Sequence, residues 1–150
     1  MKNQRFETVL NNIGQLVKSL QAVKSQKMAQ YGLKGTTCLC LCQIYRSENG
    51  LNAGELAVAG EIDKAQVSRC VSELAEKGFL YREDREGRRY KQKYRLTKKG
   101  MEVAADIVQT VDLLHNSLIN GIAPEELAVF QRVLRCLCDN FRIALDKKEK

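Results

Sequence analysis

One proline, one histidine and no long apolar run are all this 150-residue chain offers in those categories, and each scarcity removes a class of function. With His115 as the lone imidazole no Ser-His-Asp arrangement can be built, and a cysteine paired with His115 has no supporting motif. The ten glycines are scattered at helix ends and turns, so no glycine-rich loop cradles a phosphate. The carboxylates are spread over helical surfaces and caps. The chain therefore reads as no enzyme, with no cofactor and no metal site assigned. A single proline and the lack of any low-complexity tract leave no linker, so residues 1–150 read as one domain. Residues 1–7 are polar and lead into an amphipathic stretch instead of an apolar signal core. No apolar run approaches bilayer length. A cytoplasmic protein with no membrane partner is expected.

What the chain does have is concentrated positive charge. Residues 79–99 hold nine basic side chains against three acidic ones, a local balance of +6 in a chain of net +7. Cations gathered in one short element suit a polyphosphate partner, because each phosphate contact releases condensed counterions. The run Tyr90, Gln92, Tyr94, Leu96 alternates with Lys91, Lys93, Arg95. That period of two predicts a strand with its aromatic and apolar set on the body and its cations outward. Phe79, Leu80 and Tyr81 read as the partner strand, and the polar tip between them projects Arg85, Arg88 and Arg89. Guanidinium groups so placed fit a narrow minor groove, with Arg88 and Arg89 the candidates for insertion and Lys91 beside them.

Two short helices precede the hairpin. Asn52 with Glu55, and Asp63 with Gln66, each have the spacing of a helix-starting box, in which the cap side chain accepts from a first-turn amide. The first helix should end near Gly60. The second places Val67, Cys70, Val71 and Leu74 on one buried face and stops at Gly78. Two capped helices so close together match a helix-turn-helix, whose second helix lies in the major groove. Opposite its buried stripe stand Lys64, Ala65, Gln66, Ser68, Arg69 and Ser72. Glutamine suits adenine, arginine suits guanine, serine suits either, and Lys64 suits phosphate.

The run LNAGELAVAGEIDKAQVSRCVSELAEKGFLYRE from Leu51, the basic wing and the exit YRLTKKG from Tyr94 resemble the winged helix-turn-helix of the MarR family of bacterial regulators. The wing departs from that family's usual form, since EDREGRRYK lacks the proline and carries an extra residue. The resemblance implies a mainly α fold with a small β-hairpin wing, an α+β arrangement. A winged helix-turn-helix at about 36–99 would be flanked by dimerisation helices at about 4–30 and 98–146. It also implies a repressor of a pseudopalindromic duplex operator, released when a small molecule enters a crevice or when a thiol is oxidised. That crevice would lie near Tyr31, Cys38, Cys42 and the middle of the long helix carrying His115. Two rivals stand beside this reading: a winged-helix module that binds protein, and a non-specific architectural DNA binder.

Apolar residues outside the module recur at three and four: Phe6, Val9, Ile13, Leu16, Leu20, Val23; then Ala104, Ile107, Val111, Leu114, Leu118; then Leu127, Phe130, Leu134, Leu137, Phe141. Three such stripes exceed what a short chain can bury alone, and a two-fold copy supplying the same helices resolves that. A homodimer is expected, with two reading helices about one turn of DNA apart.

Six cysteines remain. Cys38, Cys40 and Cys42 alternate, so a strand would put all three on one face as a metal site. The family resemblance puts a helix there instead, and on it Cys40 points about 200° away from the other two. The Cβ atoms of Cys38 and Cys42 would then be roughly 5 to 6 Å apart, beyond the roughly 3.5 to 4.5 Å of a disulfide. Packing as small hydrophobes, oxidant sensing and soft-metal sensing all stay open, although no Cys-x-x-Cys pair is present.

Overall fold

A computed structural model describes residues 2–83 and 92–146. Along the chain run α1 (Lys2–Ala29), a 3-10 turn (Gly35–Thr37), α2 (Cys38–Arg46), α3 (Ala53–Gly60) and α4 (Lys64–Glu76). A two-stranded antiparallel hairpin, β1 (Leu80–Arg82) with β2 (Tyr94–Leu96), leads into α5 (Lys98–Ile119) and α6 (Pro124–Asp146). This is the mainly helical, hairpin-bearing architecture the sequence predicts. The chain divides into two units, Met1–Leu113 and Leu114–Lys150. No described helix is long and apolar enough to cross a membrane.

The core of the first unit draws one closed-off side chain from each of its five helices: Met28, Leu41, Leu56, Leu74 and Ile107, none more than 1% exposed. Each such burial contributes about 1.5 to 3 kcal/mol relative to exposure. The caps that set helix positions are local. The Asn52 side chain accepts from the Glu55 amide at 2.9 Å while the Glu55 carboxylate accepts from the Asn52 amide at 2.8 Å. The Asp63 carboxylate accepts from the Gln66 amide at 2.7 Å, half of the expected reciprocal box. Between α3 and α4 only Glu61, Ile62 and Asp63 intervene, with Glu61 left-handed at φ 50. Gly78 stops α4 at φ +74, which costs a residue without Cβ little. Its amide and that of Phe79 donate back to the carbonyls of Ala75 and Leu74, both at 2.9 Å.

Phe79 lies just outside β1, whose register pairs Leu80 with Leu96, Tyr81 with Arg95 and Arg82 with Tyr94. Tyr94 also exchanges amide and carbonyl hydrogen bonds with Leu51, adding a short third rung to the hairpin. Tyr94 and Leu96 pack on the core as their alternation predicts. Arg95 departs from the outward, solvated role given to it. It is half-buried, 3.3 Å from the Glu83 carboxylate, and its guanidinium donates to the Glu48 carbonyl, because β2 is flanked on that side by the loop before α3. The wing residues Arg85, Arg88, Arg89 and Lys91 lie outside the described residues.

In the second unit, Pro124 opens α6 with Glu125 and Glu126 in the first turn, where carboxylates favour the positive end of the helix dipole. The Glu126 side chain also accepts from the Ala123 amide at 3.0 Å. Along α6, Leu127, Leu134 and Leu137 are half-buried while Phe130 and Phe141 are exposed.

Candidate functional site

α4 is fixed at three points: at its start by the Asp63 cap and the tight turn after α3, and in its third turn by Glu73. The Glu73 carboxylate accepts from the Lys34 amide at 3.0 Å and from the Thr37 hydroxyl, tying α4 to the 3-10 turn. With Val67, Cys70, Val71 and Leu74 buried as expected, an advance of about 100° per residue defines the opposite face. Lys64, Ala65, Ser68, Arg69 and Ser72 are all exposed and fall within a sector of about 140° on that face. Gln66 is the exception. It falls some 60° outside that sector, is half-buried, and lines two clefts instead of standing in solvent.

The described hairpin continues the cationic surface. The Arg82 guanidinium lies 5.5 Å from the centre of the Tyr94 ring and donates to Gln92 and to the Tyr94 hydroxyl. Lys99 sits 4.9 Å over the Phe79 ring at the start of α5. Cations held over aromatic faces keep their charge at the surface with less freedom to lose on meeting a polyanion.

Behind α4 the four core cysteines form two pairs. Cys38 and Cys42 stand one turn apart on α2 with their sulfurs 3.9 Å apart. Cys40, on the opposite side of α2, meets Cys70 of α4, whose thiol also donates to the Thr36 carbonyl at 3.5 Å. Cys38 and Cys42 open onto a cleft of about 310 Å³ shared with Lys24, Leu39, Arg46, Ile62, Gln66 and Val111. The hydrogen bond from Cys42 pulls the Cys38 thiol down to about 7 against its burial, with Lys24 and Arg46 assisting. The same hydrogen bond, burial and the Cys38 charge push Cys42 up. Cys38 alkylation by iodoacetamide, followed by peptide mapping, is therefore expected to accelerate through about pH 7 and level off near pH 8. A rate still climbing at about pH 9, as for an ordinary thiol, is the contrary result.

Tyr31, another of the effector candidates, is placed apart from this cleft. The Tyr31 hydroxyl donates to Asp106, which also pairs with Lys27 at 2.5 Å, so α1 and α5 are tied there. That hydrogen bond, desolvation and the Asp106 charge raise the tyrosine's pKa. Held so, Tyr31 does not line the thiol cleft; His115, in the second unit, is exposed. Among the described residues no three His, Cys, Asp or Glu side chains gather as a metal site. Sequence reasoning missed Lys24 and Arg46 because neither lies on an apolar stripe. It missed the Cys40–Cys70 meeting because two residues 30 positions apart share no local pattern.

A family model described as the MarR family matches residues 31–89. A solved MarR family transcription regulator is similar with a TM-score of 0.76 at 16% identity, over 97% of this chain and 95% of that one. A MarR transcriptional regulator from Methanosarcina mazei Go1 gives 0.70 at 21% identity, over 91% and 99%. A MarR protein from Peptoclostridium difficile gives 0.73 at 20%, over 89% and 86%. Over residues 31–89 the chain matches the MarR family model, and its fold is similar to those of solved MarR family transcriptional regulators.

Proposed function

We propose that this chain is a sequence-specific reader of duplex DNA that acts in the cytoplasm as a homodimeric repressor and lets go of its operator when an effector or an oxidant reaches the winged-helix module. The observation that carries the reading is the exposed face of α4, where Lys64, Ala65, Ser68, Arg69 and Ser72 stand together on a helix whose position is fixed by buried contacts. Lys64 holds phosphate, and Arg69, Ser68 and Ser72 reach base edges, with Ala65 leaving room for a thymine methyl. Gln66, at the flank, adjusts the helix more than it reads. Arg85, Arg88, Arg89 and Lys91 of the wing take the adjacent minor groove.

Two copies are supported by what one copy leaves uncovered. On α1, Phe6, Val9, Leu16 and Val23 are at least 40% exposed, and on α6 Phe130 and Phe141 are 49% and 67% exposed. Apolar stripes of that length want a partner helix. The helices at about 4–30 and 98–146 are accordingly assigned to dimerisation, with the winged helix-turn-helix at about 36–99.

Selection of bound duplexes from a random pool, followed by affinity measurements across salt, tests this. A pseudopalindrome with half-sites about 10 base pairs apart is expected, together with a linear fall of log affinity with log salt. Tight binding without sequence preference would make the chain an architectural binder. A flat salt response would point to a protein partner, and a monomer in sedimentation would remove the dimer.

A further inference from the structure

Cys38 and Cys42 invite a disulfide by their proximity, but α2 opposes it. Residues four apart on a helix keep their Cβ atoms roughly 5 to 6 Å apart, and a disulfide needs roughly 3.5 to 4.5 Å. Closing that bond would unwind the turn that holds Leu41, which is 0% exposed. An atom inserted between the sulfurs removes the conflict. Two bonds of about 2.3 Å from a pyramidal trivalent centre, meeting at about 95 to 100° because a lone pair takes the fourth corner, place their sulfurs about 3.4 to 3.5 Å apart. The two sulfurs stand 3.9 Å apart, within about half an ångström of that span and far closer to it than to a disulfide bond.

We propose that Cys38 and Cys42 form a preorganised dithiol chelate for a trivalent, thiophilic arsenical bearing one organic substituent, and that this class is the effector of the cleft. The class follows from the surroundings. Among the described residues two sulfurs face the cleft, which suits a centre with two exchangeable oxygens and leaves a divalent metal short of ligands. Lys24 on the cleft wall disfavours an incoming cation but not a neutral compound, while Arg46 is paired with Asp112 at 2.5 Å. Leu39, Ile62 and Val111 supply apolar wall for the substituent within about 310 Å³. A Cys38 thiol poised near neutrality supplies the first nucleophile.

The chemistry balances without an oxidant. The Cys38 sulfur attacks arsenic, one As–O bond breaks, and the departing oxygen leaves as water with the thiol proton. Cys42 repeats the step. Two As–S bonds have replaced the two As–O bonds of the hydrated form R–As(OH)2, which an arsine oxide takes up in water, two waters are released, and arsenic stays trivalent. Because Gln66 of α4 shares the cleft wall, occupancy presses on the helix assigned to DNA reading.

Phenylarsine oxide is the probe, used on the full chain carrying Cys136→Ser and Cys138→Ser, which removes the exposed thiols. Intact mass after gel filtration should show one phenylarsenic per chain with both thiol protons lost and the helical circular dichroism unchanged. Adding Cys38→Ser or Cys42→Ser should weaken retention against a soluble dithiol by about a hundred-fold or more, the chelate advantage of a second intramolecular bond. Adding Cys70→Ser should leave it unchanged. Equal retention in either single-thiol variant, or capture accompanied by loss of helix, overturns the proposal. The effector role rests on the DNA-binding reading. Captured protein should bind its selected duplex about ten-fold more weakly, and unchanged affinity overturns that role. Failure of the untreated protein to bind any duplex is a failure of the functional reading instead, and the mass measurement separates the two.

Discussion

Gly100→Ala is expected to destabilise the protein by about 3 kcal/mol or more, although alanine is the better helix former. Gly100 sits in the first turn of α5, where its amide donates to the Thr97 hydroxyl at 3.0 Å. A Cβ there would lie 1.9 Å from the Phe79 carbonyl oxygen and 2.8 Å from its carbon. The obstacle is backbone, and it is doubly held: that carbonyl accepts from the Thr97 amide at 3.0 Å, and the Thr97 hydroxyl donates to the Gly78 carbonyl at 2.8 Å. Neither partner can swing aside without disturbing the stop of α4 or the entry to the wing. The helix-propensity gain of about 1 kcal/mol is therefore outweighed. Gly14 supplies the contrast, since nothing lies within 4 Å of its Cβ position in the middle of α1. Gly14→Ala is expected to stabilise by up to about 1 kcal/mol. Urea unfolding of both variants at one protein concentration checks the pair, and a Gly100→Ala protein as stable as the parent would contradict the close approach.

The second large effect concerns recognition. Arg69→Ala is expected to cost about 1 to 3 kcal/mol of affinity for the selected duplex, roughly five- to 150-fold, and to relax preference at one base position. The guanidinium is exposed on the α4 face, so its removal leaves the core and fold intact. Lys64→Ala should behave differently, weakening all duplexes alike and lowering the salt slope by about one. Titrations of both variants against the selected site and a scrambled duplex distinguish these roles. Uniform weakening by Arg69→Ala would reassign that residue to phosphate.

The elements that were legible in the sequence share one property: their cause lies within a few residues. Asn52 and Asp63 start helices because a side-chain oxygen reaches an amide three positions ahead. Gly78 stops α4 because a left-handed residue is needed there. Val67, Cys70, Val71 and Leu74 go inside because their spacing follows the helix period. Gln66 is half-buried where the sequence placed it on the open face, since it lies at the border of that stripe, where periodicity alone does not say which side wins. Arg95 was misjudged because alternation describes one strand and is blind to Glu83, which pairs with it from across the hairpin.

By itself the sequence determined the order of helices, the hairpin and its charge, and which face of α4 is left for a partner, because these follow from backbone hydrogen bonding and from keeping apolar groups out of water. Only the tertiary structure decided that Cys40 meets Cys70, that Tyr31 ties to Asp106 across 75 positions, and that Cys38 and Cys42 share a cleft with Lys24, Arg46 and Gln66. Such contacts depend on how packed helices are turned and spaced against one another. That is set by the fit of the whole core, and no local run of residues encodes it.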